Sequence, residues 1–142
     1  MRIPVSIRVD STQTDPDGRT DRVTAEYSGA LFEKDGKSYI SYTEDTRSEG
    51  GAVTKCLLKI SDKKIELNKN GVMSYNMVFE EGKKDALSYR TAYGLIPMTL
   101  ETYSLDVKRN IDMSVNMAIG YNLDMGGGYV LKCEMKLDAE PI

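Results

Sequence analysis

Histidine is missing from all 142 residues of the chain. That single absence excludes Ser-His and Cys-His nucleophile pairs, a histidine-ligated metal and an imidazole proton shuttle at neutral pH, and most hydrolase mechanisms go with them. A surplus of positive charge is missing too. Nineteen Lys and Arg face 22 Asp and Glu, a net charge of −3, so neither nucleic acid nor an anionic membrane is the expected partner. No apolar run approaches the roughly 20 residues of a membrane span, and Met1 to Val9 alternates where a signal peptide would carry an unbroken apolar core. Cysteine occurs only twice, at Cys56 and Cys133, in phase with Leu58 and Ile60 and with Leu131 and Met135. This placement reads as two buried small hydrophobes in a reduced, cytoplasmic protein. A disulfide between them would require their strands to be neighbours.

Apolar residues make up 40% of the sequence, enough for residues 1–142 to form one domain around a normal core. Their spacing is two almost everywhere, the mark of strands with one buried face. Ile3, Val5, Ile7 and Val9 alternate with polar residues. Asp15-Pro16-Asp17-Gly18 carries the residues of a type I turn, and Val23, Ala25, Tyr27, Gly29 and Leu31 return in phase. Lys34-Asp35-Gly36-Lys37 then turns the chain into Ser38 to Asp45. Cys56, Leu58 and Ile60 form a fourth run, Ile65 to Leu67 a short fifth, and Asn70-Gly71 is the tightest hairpin signal of the chain. Met73 to Phe79, Leu87 to Tyr93 and Met98 to Lys108 follow, the last with a phase slip near Ser104-Leu105 that predicts a β-bulge. Seven apolar residues alternate from Ile111 to Leu123, and Gly126-Gly127-Gly128 leads into Tyr129 to Leu137.

About ten strand-like runs with short connections and no major helix predict an all-β fold, a single antiparallel up-and-down meander. Such a meander has to curl and close into a barrel of about eight to ten strands. A sandwich is the alternative, but no stretch looks like the longer crossover it usually needs.

The segment Tyr89-Arg90-Thr91-Ala92-Tyr93-Gly94, with Gly29, Lys34, Tyr42-Thr43-Glu44, Leu100-Glu101-Thr102 and Tyr121-Asn122-Leu123 in that order, resembles the YwiB-like family of small bacterial proteins of unknown function. The resemblance spans nearly the whole chain. It implies a calycin-like, lipocalin-related β-barrel with a ligand cavity, and it implies no activity. Ala92 stands where a proline is common in that family, and Lys69 where an arginine often precedes the turn.

The inward phases supply Met73, Met77, Met113, Met117 and Met135 together with Tyr27, Tyr75, Tyr89, Tyr93 and Tyr121. One reading is a pocket for varied apolar shapes, and the other is ordinary core filler. Buried phenols must satisfy their hydroxyls, which points to a polar network, water or a ligand's polar group inside. Glu44 is the carboxylate that stands out. In phase with Ile40 and Tyr42 near a strand end, it could meet a ligand amine or a tyrosine hydroxyl, or simply emerge into solvent at the mouth. Tyr27, Tyr42, Glu44, Tyr75, Tyr89, Thr91, Tyr93, Met113, Met117 and Tyr121 are therefore the candidate interior, and Arg90 falls on the outer wall.

Other motifs fail on inspection. Asp15 to Glu26 has its glycine in the fourth place, not the sixth, and Arg19 where a calcium ligand belongs. The glycine run at 126–128 lacks the spacing and the helix of a phosphate cradle. No metal or cofactor is expected. Three functions stay open: a barrel binding a small, mostly apolar ligand; a structural or interaction protein with a filled core working through its outer surface, a homo-oligomer included; and, last, an enzyme using carboxylate and tyrosine, for which no carboxylate pair is evident.

Overall fold

The computed structural model describes residues 2–44, 53–71, 74–91 and 93–142, the side chains of residues 89–91 excepted. Ten strands succeed one another: β1 (Arg2–Thr14), β2 (Thr20–Lys34), β3 (Lys37–Glu44), β4 (Thr54–Ile60), β5 (Lys64–Asn70), β6 (Tyr75–Glu80), β7 (Lys84–Thr91), β8 (Gly94–Arg109), β9 (Val115–Asp124) and β10 (Val130–Pro141). All pair antiparallel in one sheet of order β6-β5-β4-β3-β2-β1-β10-β9-β8-β7, with no helix among the described residues. The first and last strands close the curl. A seam is left between β6 and β7, which the turn Glu81-Gly82-Lys83 joins at one end, and there β6 lies against β7 and β8. The predicted meander is therefore a barrel closed everywhere except at one lip.

Turn chemistry sets the registers. Asp15 Oδ1 accepts from the backbone N–H groups of Asp17 and Arg19, both at 2.9 Å, and Gly18 takes the positive φ of 86° that a side chain would resist. Asp35 and Gly36 both have positive φ, 53° and 77°, the primed geometry whose twist suits a two-residue hairpin. The bulge expected near Ser104 falls at Tyr103, where the β8–β9 register shifts. Tyr103 lies over Gly120, and a Cβ on Gly120 would stand 2.5 Å from its ring.

Several boundaries differ from the periodicity. The alternation from Ile111 to Met113 is a turn, not the start of a strand. Asn110 donates to Ser114 Oγ at 2.9 Å, Asp112 Oδ1 accepts from the Ser114 N–H at 3.0 Å, and Met113 takes φ 73°. Local side-chain bonds outcompete the ladder there, and Ile111 is left fully exposed. Gly94 to Pro97 belongs to β8 instead of separating it from β7. The proline is tolerated because β9 pairs with β8 only from Thr99 onward. β5 runs on to Asn70, and the pairing Lys69↔Tyr75 makes the next connection longer than the two-residue turn that Asn70-Gly71 suggested. Met73 lies outside the described residues. Cys56 and Cys133 are free and buried on β4 and β10, which are not neighbours, so the condition for a disulfide is not met.

The interior has two unlike halves. Toward the β2–β3 and β4–β5 turns it is solid, with Val5, Ile7, Leu31, Ile40, Leu58, Ile60, Ile65, Phe79 and Leu100 sealed from solvent. Arg109 shuts that base, donating to Asp62 Oδ1 at 2.8 Å and to the Gly36 carbonyl at 2.7 Å, and so ties β8 to two separate hairpin turns. The other half holds the cavity.

Candidate functional site

A cavity of about 410 Å³ occupies the open half of the barrel, within the range of pockets that hold small molecules. Eight strands contribute to it because their inward phases converge there. Val9, Val23, Ala25, Leu67, Met77, Met98, Leu123, Leu131 and Met135 supply the apolar wall, Met125 joins them from the β9–β10 connection, and Ser11, Thr12 and Gln13 stand toward the β1 end. Tyr27, Tyr42, Tyr75 and Tyr121 interrupt the apolar surface. Glu44 and Lys69 are the charged residues of the lining among the described residues.

These two charges meet. Lys69 Nζ donates to Glu44 Oε1 at 3.0 Å and to Oε2 at 3.2 Å. The Tyr27 hydroxyl donates to Oε2 at 3.0 Å and the Cys56 thiol to Oε1 at 3.5 Å. The ammonium also lies 5.9 Å from the centre of the Tyr75 ring, close enough for a cation–π attraction. Tyr27 and Tyr42 pack with ring centres 5.0 Å apart, and Tyr121 meets Phe79 edge to face at 4.9 Å, where the open half gives way to the solid one. The Tyr42 hydroxyl lies beside the Cys56 thiol, and that of Tyr121 beside Cys133.

Burial, aided by the Glu44 charge, pushes the Tyr27 phenol up to about 12. Burial likewise pushes the Cys56 thiol up to about 12 and the Cys133 thiol up to about 11. Tyr42 and Tyr121 are driven above the ordinary phenol range by the same cause. For Lys69, burial works against the charge, but Tyr75 and Glu44 outweigh it and the net direction is up. At neutral pH the cavity thus presents neutral phenols and thiols around one intact ion pair. A thiol held protonated is not a nucleophile.

Of the sequence-predicted interior, Tyr27, Tyr42, Glu44, Tyr75 and Tyr121 come together around this cavity. Met117 is buried, but as filler on the solid side: it faces Leu137 and Val107 across its ladders and does not reach the lining. Met113 sits in the β8–β9 turn, half-buried against the core at the far end. Tyr93 is fully exposed in the β7–β8 connection, because the pairing Thr91↔Gly94 ends β7 before the alternation does. Tyr89 and Thr91 are on β7, paired with Ile96 and Gly94, and their side chains lie outside the description. Lys69 was missed, although it is the partner of Glu44. Its signal was its phase with Ile65 and Leu67, hidden because Asn68-Lys69-Asn70-Gly71 reads as a loop. Met98 was missed because the pattern starts β8 four residues late, and Met125 because it lies in the β9–β10 connection, outside any strand phase.

The sequence model of a family described as a domain of unknown function, DUF1934, matches residues 7–137. The uncharacterized β-barrel protein YwiB of Bacillus subtilis (strain 168) is 24% identical over 124 residues, which cover 87% of this chain and 83% of that protein. The crystal structure of the ywiB protein from Bacillus subtilis superposes with a TM-score of 0.87 at 20% identity, over 99% of this chain and 93% of that one.

Proposed function

The chain belongs to the DUF1934 family and is homologous to YwiB of Bacillus subtilis, and from that premise we propose that it is a binding protein holding one small, mainly apolar molecule in the open half of its barrel. The observation that carries this reading is the asymmetry of the interior. One half of the barrel is filled by side chains to full burial, while the other keeps about 410 Å³ unfilled although four flexible methionines line it. Methionine readily fills gaps. A space left open among such residues is better explained as room for an adaptable guest than as a packing accident. The tyrosine hydroxyls and the Glu44–Lys69 pair give that guest a polar wall on one side.

Titration with N-phenylnaphthylamine, an uncharged dye that brightens on leaving water, tests the reading. One dye per barrel is expected to bind, and Ala25→Phe, which projects a ring into the lining, is expected to abolish the signal while the circular dichroism stays native. Native mass spectrometry of protein purified gently from its own cells then searches for the natural guest as an adduct lost on denaturation. A wild-type barrel that fails to brighten the dye and carries only its bare mass overturns the proposal.

A further inference from the structure

Resting on the reading of the cavity as a binding site, we infer that its guest is uncharged: an apolar molecule whose polar end is an alcohol or carbonyl, not a carboxylate and not an amine. The argument is a count of what the wall already satisfies. Both oxygens of Glu44 are engaged, Oε1 by Lys69 and Cys56 and Oε2 by Lys69 and Tyr27. Among the described residues an amine entering the cavity therefore finds no vacant carboxylate, and binding it through Glu44 would mean displacing Lys69. A carboxylate meets the mirror-image problem. To reach the ammonium it competes with a side chain already bonded at 3.0 and 3.2 Å, and success would place two carboxylates around one cation inside an apolar chamber. A charge taken out of water without a partner is strongly disfavoured. Among the described residues the lining holds no second cation or anion to compensate.

An uncharged polar group meets neither obstacle. Tyr27, Tyr42 and Tyr121 each keep an oxygen able to accept, and Ser11, Thr12 and Gln13 offer both donors and acceptors toward the mouth. The ion pair is then not a hook for an opposite charge. It is a neutralised polar patch that repels either sign equally, through the loss of its own partner.

Three molecules of one length, octanol, octanoate and octylamine, separate the possibilities by displacement of N-phenylnaphthylamine at neutral pH. On the wild-type protein octanol is expected to displace the dye at a concentration at least about tenfold below the other two, tenfold being about 1.4 kcal/mol. Glu44→Gln frees the ammonium and is expected to turn the preference to octanoate, and Lys69→Met exposes the carboxylate and turns it toward octylamine. Octanoate or octylamine matching octanol on the wild-type barrel overturns the inference and leaves the binding reading intact. A wild-type barrel that binds no dye and carries only its bare mass overturns both. The wild-type panel decides the question even where a variant fails to fold.

Discussion

Replacing Lys69 by methionine keeps the length and apolar stem of the side chain and removes only the ammonium, which strands Glu44. At 3.0 Å and an effective dielectric constant of about 20, the direct attraction amounts to about 5–6 kcal/mol, most of which is spent in desolvating the two groups. Truncating one member of a fully buried pair costs about 3–5 kcal/mol, and an exposed pair contributes about 0–1 kcal/mol. The side chains of Lys69 and Glu44 keep 19% and 22% of their exposure, and Tyr27 and Cys56 still donate to the carboxylate after the substitution. The expected loss lies between those limits, at about 2 kcal/mol. Urea unfolding followed by tyrosine fluorescence or circular dichroism reads it as a fall in midpoint of about 1 M. Glu44→Gln alone should lose a similar amount, and the double variant Glu44→Gln/Lys69→Met distinctly less than the sum, a coupling of about 1–2 kcal/mol. Strictly additive losses, or a Lys69→Met barrel within about 0.5 kcal/mol of wild type, would refute the view that the two charges are held against each other inside the barrel.

Three further expectations follow from the two halves of the interior. Leu58→Ala, in the sealed half, should cost about 3–5 kcal/mol, whereas Leu131→Ala, which only enlarges a space already present, should cost less than about 2 kcal/mol; equal losses by urea unfolding would contradict a half-filled barrel. Arg109→Ala removes the charged donor that ties β8 to two hairpin turns at the base and should cost about 1–2 kcal/mol in a thermal melt while dye affinity at the opposite end stays constant. Stability should fall steeply in alkali. Cys56, Cys133 and Tyr27 have native values above their unfolded 9.0, 9.0 and 10.0, so the unfolded chain releases protons first; their stabilising contribution is whole below pH 9 and is lost as pH rises toward about 12. Phenolate absorbance should accordingly rise together with unfolding, and interior tyrosines that ionise while the circular dichroism is still native would contradict their burial.

Much of the fold could be read from alternation because a one-sided strand repeats every two residues wherever its face is core. Glu44 was found in this way, in phase with Ile40 and Tyr42, which are buried beside it. The same rule misled where a turn happened to alternate: Ile111 and Met113 continue the period of β9 backwards through a loop held by Asn110 and Asp112. Tyr93 fails likewise, one step past the end of β7. Lys69 shows the opposite error, a strand that continues through residues favoured in loops because its neighbours on β4 and β6 hold it. The division into a sealed and an open half could not be read at all, since Met117 and Met77 are identical in phase and type and differ only in which end of the closed barrel they occupy.

The ladder between β1 and β10 joins residues more than a hundred positions apart, from Thr14↔Lys132 to Val5↔Pro141, whereas every other ladder links strands that are consecutive in sequence. Folding thus divides into two zippers of local hairpins, β1 to β6 and β7 to β10, whose loops are cheap to close, and one slow encounter of the two ends. The Ile142 N–H already reaches the Pro4 carbonyl at 3.1 Å. Bridging the ends by a short linker and cutting the chain at Gly82 would make that remote pairing a hairpin like the rest and leave the seam as a pair of termini. The rearranged chain keeps the same barrel and is expected to reach it faster, with the rate rather than the architecture carrying the memory of where the chain begins.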